Sequence, residues 1–171
     1  MGDVTYINPG QQQIAESKDS HADVLHCLMI SLSEEVILLP NAAVAEVIGY
    51  IKPEPLEGSP NWFLGRITWR ERLVPLISIE VASSSSDKNV SLEGSRIAIL
   101  NTLNGNPEVP YIGIVAQGIP RLNVIHNEDI TSIETLPANR QSIAEIANAN
   151  GQEVIIPDID DLENRLLNLH S

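Results

Sequence analysis

Cysteine is almost absent from this chain, aromatic side chains are scarce and basic residues are few. A single cysteine, Cys27, occurs in 171 residues. That excludes an intrachain disulfide framework and fits a reducing compartment. Its neighbours Leu28, Met29 and Ile30 mark it as a buried strand thiol rather than a reactive one. Ten Lys and Arg stand against 23 Asp and Glu, for a net charge of −13. Phosphate contacts need clustered basic side chains, so nucleic acid is not an expected partner. Adsorption to an anionic membrane is disfavoured for the same reason. No apolar run approaches the ~20 residues that span a bilayer. The first twenty residues have neither a positive n-region nor an apolar h-region, and Met1-Gly2 with Tyr6 is a poor myristoylation match. The expectation is a soluble, cytoplasmic protein with no direct membrane insertion.

Motifs that carry chemistry are missing as well. His21, His26, His126 and His170 are scattered, with no i, i+4 pair and no cluster with Cys27, so no metal site is expected. No glycine-rich phosphate loop follows a strand, and there is no Gly-x-Ser-x-Gly elbow. Carboxylates gather at Asp158, Asp160, Asp161 and Glu163. They fall at a helix start, where the helix dipole stabilises each by roughly 0.3–1 kcal/mol. Glu34-Glu35 reads as a solvated hairpin turn. Two carboxylates converging on a pocket are not indicated, so neither an enzyme nor a cofactor is expected.

What is present is a series of short apolar strands. Residues 1–21 are polar and unpatterned and read as a flexible arm. Val24, His26, Leu28, Ile30 and Leu32 then share one face of a period-two strand, with Leu25, Cys27 and Met29 on the other. Both faces are apolar, which predicts a central strand. Val36 to Leu39 follows a Ser33-Glu34 turn, Asn41 to Ala43 is a break of about one helical turn, and Val44 to Ile51 returns to strand. Residues 82–94 are a serine-rich linker. Beyond it come strands at 96–103, 111–117 and 120–125. A last hairpin, 143–156, turns at Asn150-Gly151. The chain ends in a helix, residues 158–169, with Asp158 as N-cap, Asp161 three residues on, and a stripe of Ile159, Leu162, Leu166 and Leu169. Docking of that stripe on the chain's own sheets is the simpler reading, with a partner-binding helix as the alternative.

The most specific stretch is Pro60 to Glu80. Leu64, Ile67 and Trp69 lead into Arg70-Glu71-Arg72, and Leu73-Val74-Pro75-Leu76-Ile77 runs on as a second strand. Proline cannot donate to a ladder, which places Pro75 on an edge strand or at a bulge. Trp62 and Trp69 belong to a set of only six Phe, Trp and Tyr side chains. Large aromatics beside arginine compose interface hot spots. Trp62 reads first as a plug over a barrel mouth and second as an interface anchor. Trp69 stays open between a core role and a half-exposed position beside Arg70. Arg70 has two readings: a fork for a partner carboxylate, or an intrachain pair with Glu46 or Glu71.

Gly65, the turn Thr68-Trp69-Arg70-Glu71 and Val74-Pro75-Leu76-Ile77-Ser78-Ile79 resemble the signature of CheW-like domains, the adaptor modules of bacterial chemosensory arrays. Val36 to Pro40, Val44-Ala45-Glu46-Val47-Ile48, Arg96 to Leu100 and Tyr111 to Val115 with Gly113 follow in the family's order. The resemblance covers roughly residues 22–169. It implies an all-β protein with a C-terminal α-helix, built as two intertwined five-stranded SH3-like barrels at about 24–81 and 95–157. It also implies an adaptor that joins a methyl-accepting chemoreceptor to the regulatory domain of a chemotaxis histidine kinase, with Val44, Glu46, Val47, Trp69 and Arg70 at a protein interface. A small-molecule or peptide-binding β-barrel without a kinase partner is the alternative. The chain departs from the family turn: Thr68 replaces Asn, Trp69 stands where Leu is usual, and Glu71 replaces Gly, so a positive φ there would be strained. These departures, with the acidity and the serine-rich linker, resemble variant adaptors of type IV pilus and twitching-motility systems.

Overall fold

The computed structural model describes residues 24–84, 92–133 and 135–169. The expected arm, 1–21, lies outside them, as do residues 85–91 of the expected linker. Among the described residues, eleven strands and two α-helices follow in order, with two single 3-10 turns between them. The strands are β1 (Val24–Ser31), β2 (Val36–Pro40), β3 (Val44–Gly49), β4 (Phe63–Trp69), β5 (Arg72–Ile77), β6 (Ser95–Asn101), β7 (Tyr111–Gln117), β8 (Arg121–His126), β9 (Ile130–Ser132), β10 (Ile143–Ala149) and β11 (Gln152–Pro157). Helix α1 (Ile79–Ala82) follows β5, and α2 (Ile159–Asn168) closes the chain. Asn41–Ala43 is the single helical turn expected there. Among the described residues no helix is long and apolar enough to cross a membrane.

The strands form a six-stranded sheet, β8-β1-β2-β11-β10-β9, and a five-stranded sheet, β3-β6-β7-β5-β4. The sheets do not divide at residues 82–94. β1 and β2 pair with β8 and β11 from beyond that segment, while β6 and β7 sit between β3 and β5. Four pairings make the exchange: the antiparallel ladders β1–β8 and β3–β6, and two short parallel ones, Ile37 with Ile155 and Leu76-Ile77 with Gly113-Ile114. The sixth strand of the first sheet, β9, is one that period-two patterning did not flag. It has three residues, too few for alternation to register.

Each sheet buries a different cluster on each face. Ile30, Ile37, Leu39 and Ile155 of the first sheet meet Phe63, Ile77, Leu100, Ile112 and Ile114 of the second in a shared core. On its other face the first sheet packs Cys27, Met29, Leu38, Ile125 and Val154 together. The second does the same with Ile67, Trp69, Val74, Leu76, Ile97, Ile99 and Val115. A sheet with no partner layer on its outer face buries that face by curling on itself. That explains why β1 is apolar on both sides: Leu28 and Ile30 face the shared core, and Cys27 and Met29 face the inside of the curl.

Helix α2 docks on the shared core through Ile159, Leu162 and Leu166, as the stripe predicted. Asp158 Oδ1 accepts the Asp161 amide at 2.9 Å, the expected N-cap. The return half of the capping box is replaced, because Asp161 Oδ2 accepts from Ser142 Oγ at 2.6 Å. A second anchor was not legible in sequence. The buried Glu80 carboxylate accepts from Ser33 N at 2.7 Å, Ser33 Oγ at 3.1 Å and Glu34 N at 3.2 Å, holding the β1–β2 turn. That turn is less solvated than expected, since Glu35 Oε1 also takes Arg140 Nη1 at 2.7 Å.

Pro75 lies on neither an edge strand nor a bulge of its own, because β5 runs between β7 and β4. It is tolerated for two local reasons. The parallel register with β7 begins only at Leu76. Its opposite residue, Arg66, exchanges both backbone bonds with Glu54 instead, at 2.8 and 2.9 Å. The same contact explains Gly65. At φ +132°, a Cβ there would lie 2.2 Å from the Glu54 carbonyl oxygen.

Gly65→Ala should therefore cost about 1–3 kcal/mol in urea denaturation; a loss within experimental error would mean that the 53–55 loop is not held against β4. Burial raises the Cys27 pKa, so the folded state keeps that proton at higher pH than the unfolded state. The resulting stabilisation is whole below the unfolded thiol's pKa of about 8.5 and is lost as pH rises above it. The free energy of unfolding in urea should therefore fall as pH rises through this range, and that part of the fall should vanish in Cys27→Ala.

Candidate functional site

The β4–β5 hairpin turns through two residues only. Trp69 pairs with Arg72, leaving Arg70 and Glu71 as the loop. Their φ values are 46° and 61°, the pattern of a type I′ turn, which favours Asn-Gly. Left-handed backbone costs an ordinary residue about 1–2 kcal/mol, so the expected strain at Glu71 is present and Arg70 shares it. The β10–β11 hairpin makes the same kind of turn with Asn150 and Gly151, at 52° and 81°.

Side-chain contacts gather at the strained tip. Trp69 is 7% exposed, which corrects the half-exposed reading. Its ring meets Tyr111 edge-on at 4.9 Å, and its Nε1 donates to Glu46 Oε2 at 2.8 Å. Arg70 Nη2 lies 3.1 Å from the same oxygen, and its guanidinium carbon sits 4.8 Å from the Trp69 ring centroid. Glu46 belongs to β3, and Trp69 to β4. These are the two edge strands of the five-stranded sheet, so one carboxylate links both edges.

The two donors differ in weight. The Arg70 and Glu46 side chains are 68% and 38% exposed, and an exposed ion pair contributes ~0–1 kcal/mol. Trp69 Nε1 is a donor on a buried residue, and stranding such a group costs about 1–3 kcal/mol. The indole bond therefore holds the seam, while the arginine mainly covers it.

Among the residues expected at an interface, Glu46, Trp69 and Arg70 converge and Val44 and Val47 do not. A register shift between Val44 and Glu46 resets the alternation of β3. Val44 and Val47 consequently pack half-buried against the shared core, whereas Ile48 packs against the cluster that contains Trp69. Trp62 takes the plug role. It is buried in the shared core, edge-on to Phe63 at 6.3 Å, with the Arg165 guanidinium 4.5 Å from its ring. Arg165 Nη1 also donates to Ala82 O at 3.0 Å and Ser142 Oγ at 2.5 Å. Its only sequence cue was an i, i+4 spacing from Asp161 on α2.

A second surface lies at the far edge of the other sheet. Leu122 and Val124 of β8 are exposed, as is Ile119 just before them, at 60%, 47% and 76%. His26 and His126 are exposed on the same pair of strands. Among the described residues no group of three or more His, Cys, Asp or Glu could hold a metal ion.

A family model, the CheW-like domain, matches residues 26–166. The chain belongs to the CheW-like family. It is thus a coupling and scaffolding protein of chemotaxis signalling, a non-enzymatic class. In structure it is similar to the scaffolding protein TtCheW from Thermoanaerobacter tengcongensis, with a TM-score of 0.64 and 20% identity over 81% of this chain and 87% of that one. No curated protein matches it significantly in sequence. Against the CheW-like turn, the Trp69 and Glu71 departures are the two that alter the tip: one adds an indole donor and the other adds strain.

Glu71→Gly should raise stability by about 0.5–1 kcal/mol, the relief of left-handed strain less the added chain entropy of glycine. Glu46→Ala should lower it by about 1–3 kcal/mol through the stranded indole. Equilibrium denaturation checks both, and a stabilising Glu46→Ala would contradict the seam.

Proposed function

We propose that this CheW-like chain is a cytoplasmic adaptor that bridges a methyl-accepting chemoreceptor and the regulatory domain of a chemosensory histidine kinase. Bridging requires two surfaces on one rigid body. The β3–β4 seam with Arg70 and the exposed β8 edge with Leu122 and Val124 lie on different sheets. The shared core joins those sheets. That separation is the observation that carries the reading. Arg70, with Glu46 and Trp69 behind it, is assigned to the first interface, while Val44 and Val47 face the shared core on the other side of β3. Modest interfaces of this kind gain strength through repetition in an array.

A ligand-binding barrel is less well supported, because apolar side chains cluster on the inner side of each curled sheet. Within the adaptor class, the altered turn, the acidity and the serine-rich segment fit a type IV pilus and twitching-motility system better than a flagellar one. Deleting the gene should then impair twitching and spare swimming.

Calorimetric titration against the kinase regulatory domain of the same organism tests the reading. Arg70→Glu should weaken binding at least tenfold, the loss expected of a charged hot-spot arginine. Its melting temperature should fall by less than about 4 °C, since the lost ion pair is exposed. Unchanged affinity in the variant would remove Arg70 from the interface; a large cooperative loss of stability would make it structural.

A further inference from the structure

The chain builds two tight hairpins of one kind with different residues. Asn150-Gly151 meets the left-handed requirement at low cost, whereas Arg70-Glu71 meets it with two residues that resist it. Strain retained at one site when a relaxed solution is used elsewhere points to a task at that site. At Arg70 the guanidinium lies over Trp69, with its carbon 4.8 Å from the ring centroid. Trp69 then acts in two directions: its Nε1 holds Glu46 Oε2 at 2.8 Å, and its face supports the cation paired to that oxygen at 3.1 Å. A leucine at position 69 could supply neither the donor nor the face.

We propose that Trp69 is a positioning residue for partner recognition, fixing Glu46 and Arg70 together so that the Arg70 guanidinium is presented outward as a preset fork for a carboxylate on the partner. The planar fork of arginine matches a carboxylate and is held by aromatic stacking. Arg70 is 68% exposed on a chain of net charge −13. An acidic segment is therefore attracted at this tip and repelled by the chain as a whole, which orients its approach. The identity of the partner rests on the adaptor reading; the positioning is a property of this chain alone.

Two measurements on the full chain separate these parts. Nitrogen relaxation of the Arg70 Nε–H group, assigned by its loss in Arg70→Lys, reads the positioning. The group should be ordered in the native protein and mobile in Trp69→Phe, which keeps a ring and removes the indole donor. Equal order in both would overturn the proposal. Titration with the kinase regulatory domain reads the recognition. Trp69→Phe should bind about three- to tenfold more weakly, the cost of immobilising a loosened arginine on binding. Most of that loss should disappear in a Glu46→Ala background, because the indole acts through the carboxylate. Full additivity of the two substitutions would reduce Trp69 to a packing residue and overturn the proposal. If the native chain does not bind the kinase domain, the kinase-bridging reading and the recognition half fall together, and relaxation alone decides the positioning.

Discussion

A five-stranded sheet that curls around its own core but leaves its two edge strands without a common ladder must close by other means. In this protein the means is one carboxylate. Glu46 reaches from β3 to the end of β4 and takes the Trp69 indole and the Arg70 guanidinium on the same oxygen. Open strand edges invite unwanted pairing, and covering them with side chains is a common remedy. Farther along, Glu54 covers β4 by exchanging backbone bonds with Arg66. The positive φ of Gly65 and the tolerance of Pro75 follow from that Glu54 contact, and the bulge of β3 sets Glu46 on the face opposite Val44 and Val47. The indole supplies most of the seam's energy because its donor sits on a buried residue, and the exposed arginine is left available for another role.

The second constraint is that neither sheet belongs to one half of the chain. β1 and β2 leave the first half for the six-stranded sheet, and β6 and β7 enter the five-stranded one. Pulling the halves apart would break both sheets as well as the shared core. Helix α2 reinforces that unity: Arg165 touches Trp62, Ala82 and Ser142 on separate segments. Under the proposed bridging role, that rigidity keeps the β3–β4 tip and the β8 edge at a fixed separation.

Local signals in the sequence were read well, and distant pairings were not. Alternation marks β1, and short apolar runs mark β2, β6 and β7; Asn150-Gly151 marks its hairpin, and Asp158 marks the start of α2. Each of these signals involves residues within a few positions of one another. Strand order is set by contacts far apart in the chain, so Pro75 by itself does not reveal the central place of β5. β9 and α1 were too short for periodicity. At the site, the Glu46–Arg70 pair was one of two intrachain options, whereas the Trp69–Glu46 bond spans 23 residues and had no local mark. Glu80 and Arg165 were missed for the same reason: their partners are backbone groups or side chains of remote turns. Val44 and Val47 were displaced from the tip by a bulge that no residue type announces.

The most direct test of the seam is hydrogen exchange at the Trp69 indole, one of two indoles in the chain. If Glu46 closes the sheet, the Trp69 Nε1 proton exchanges slowly in the native protein and becomes labile in Glu46→Ala while the fold persists. Rapid exchange in the native protein, or protection indifferent to Glu46, would contradict closure by the carboxylate and leave the two edges held by packing alone.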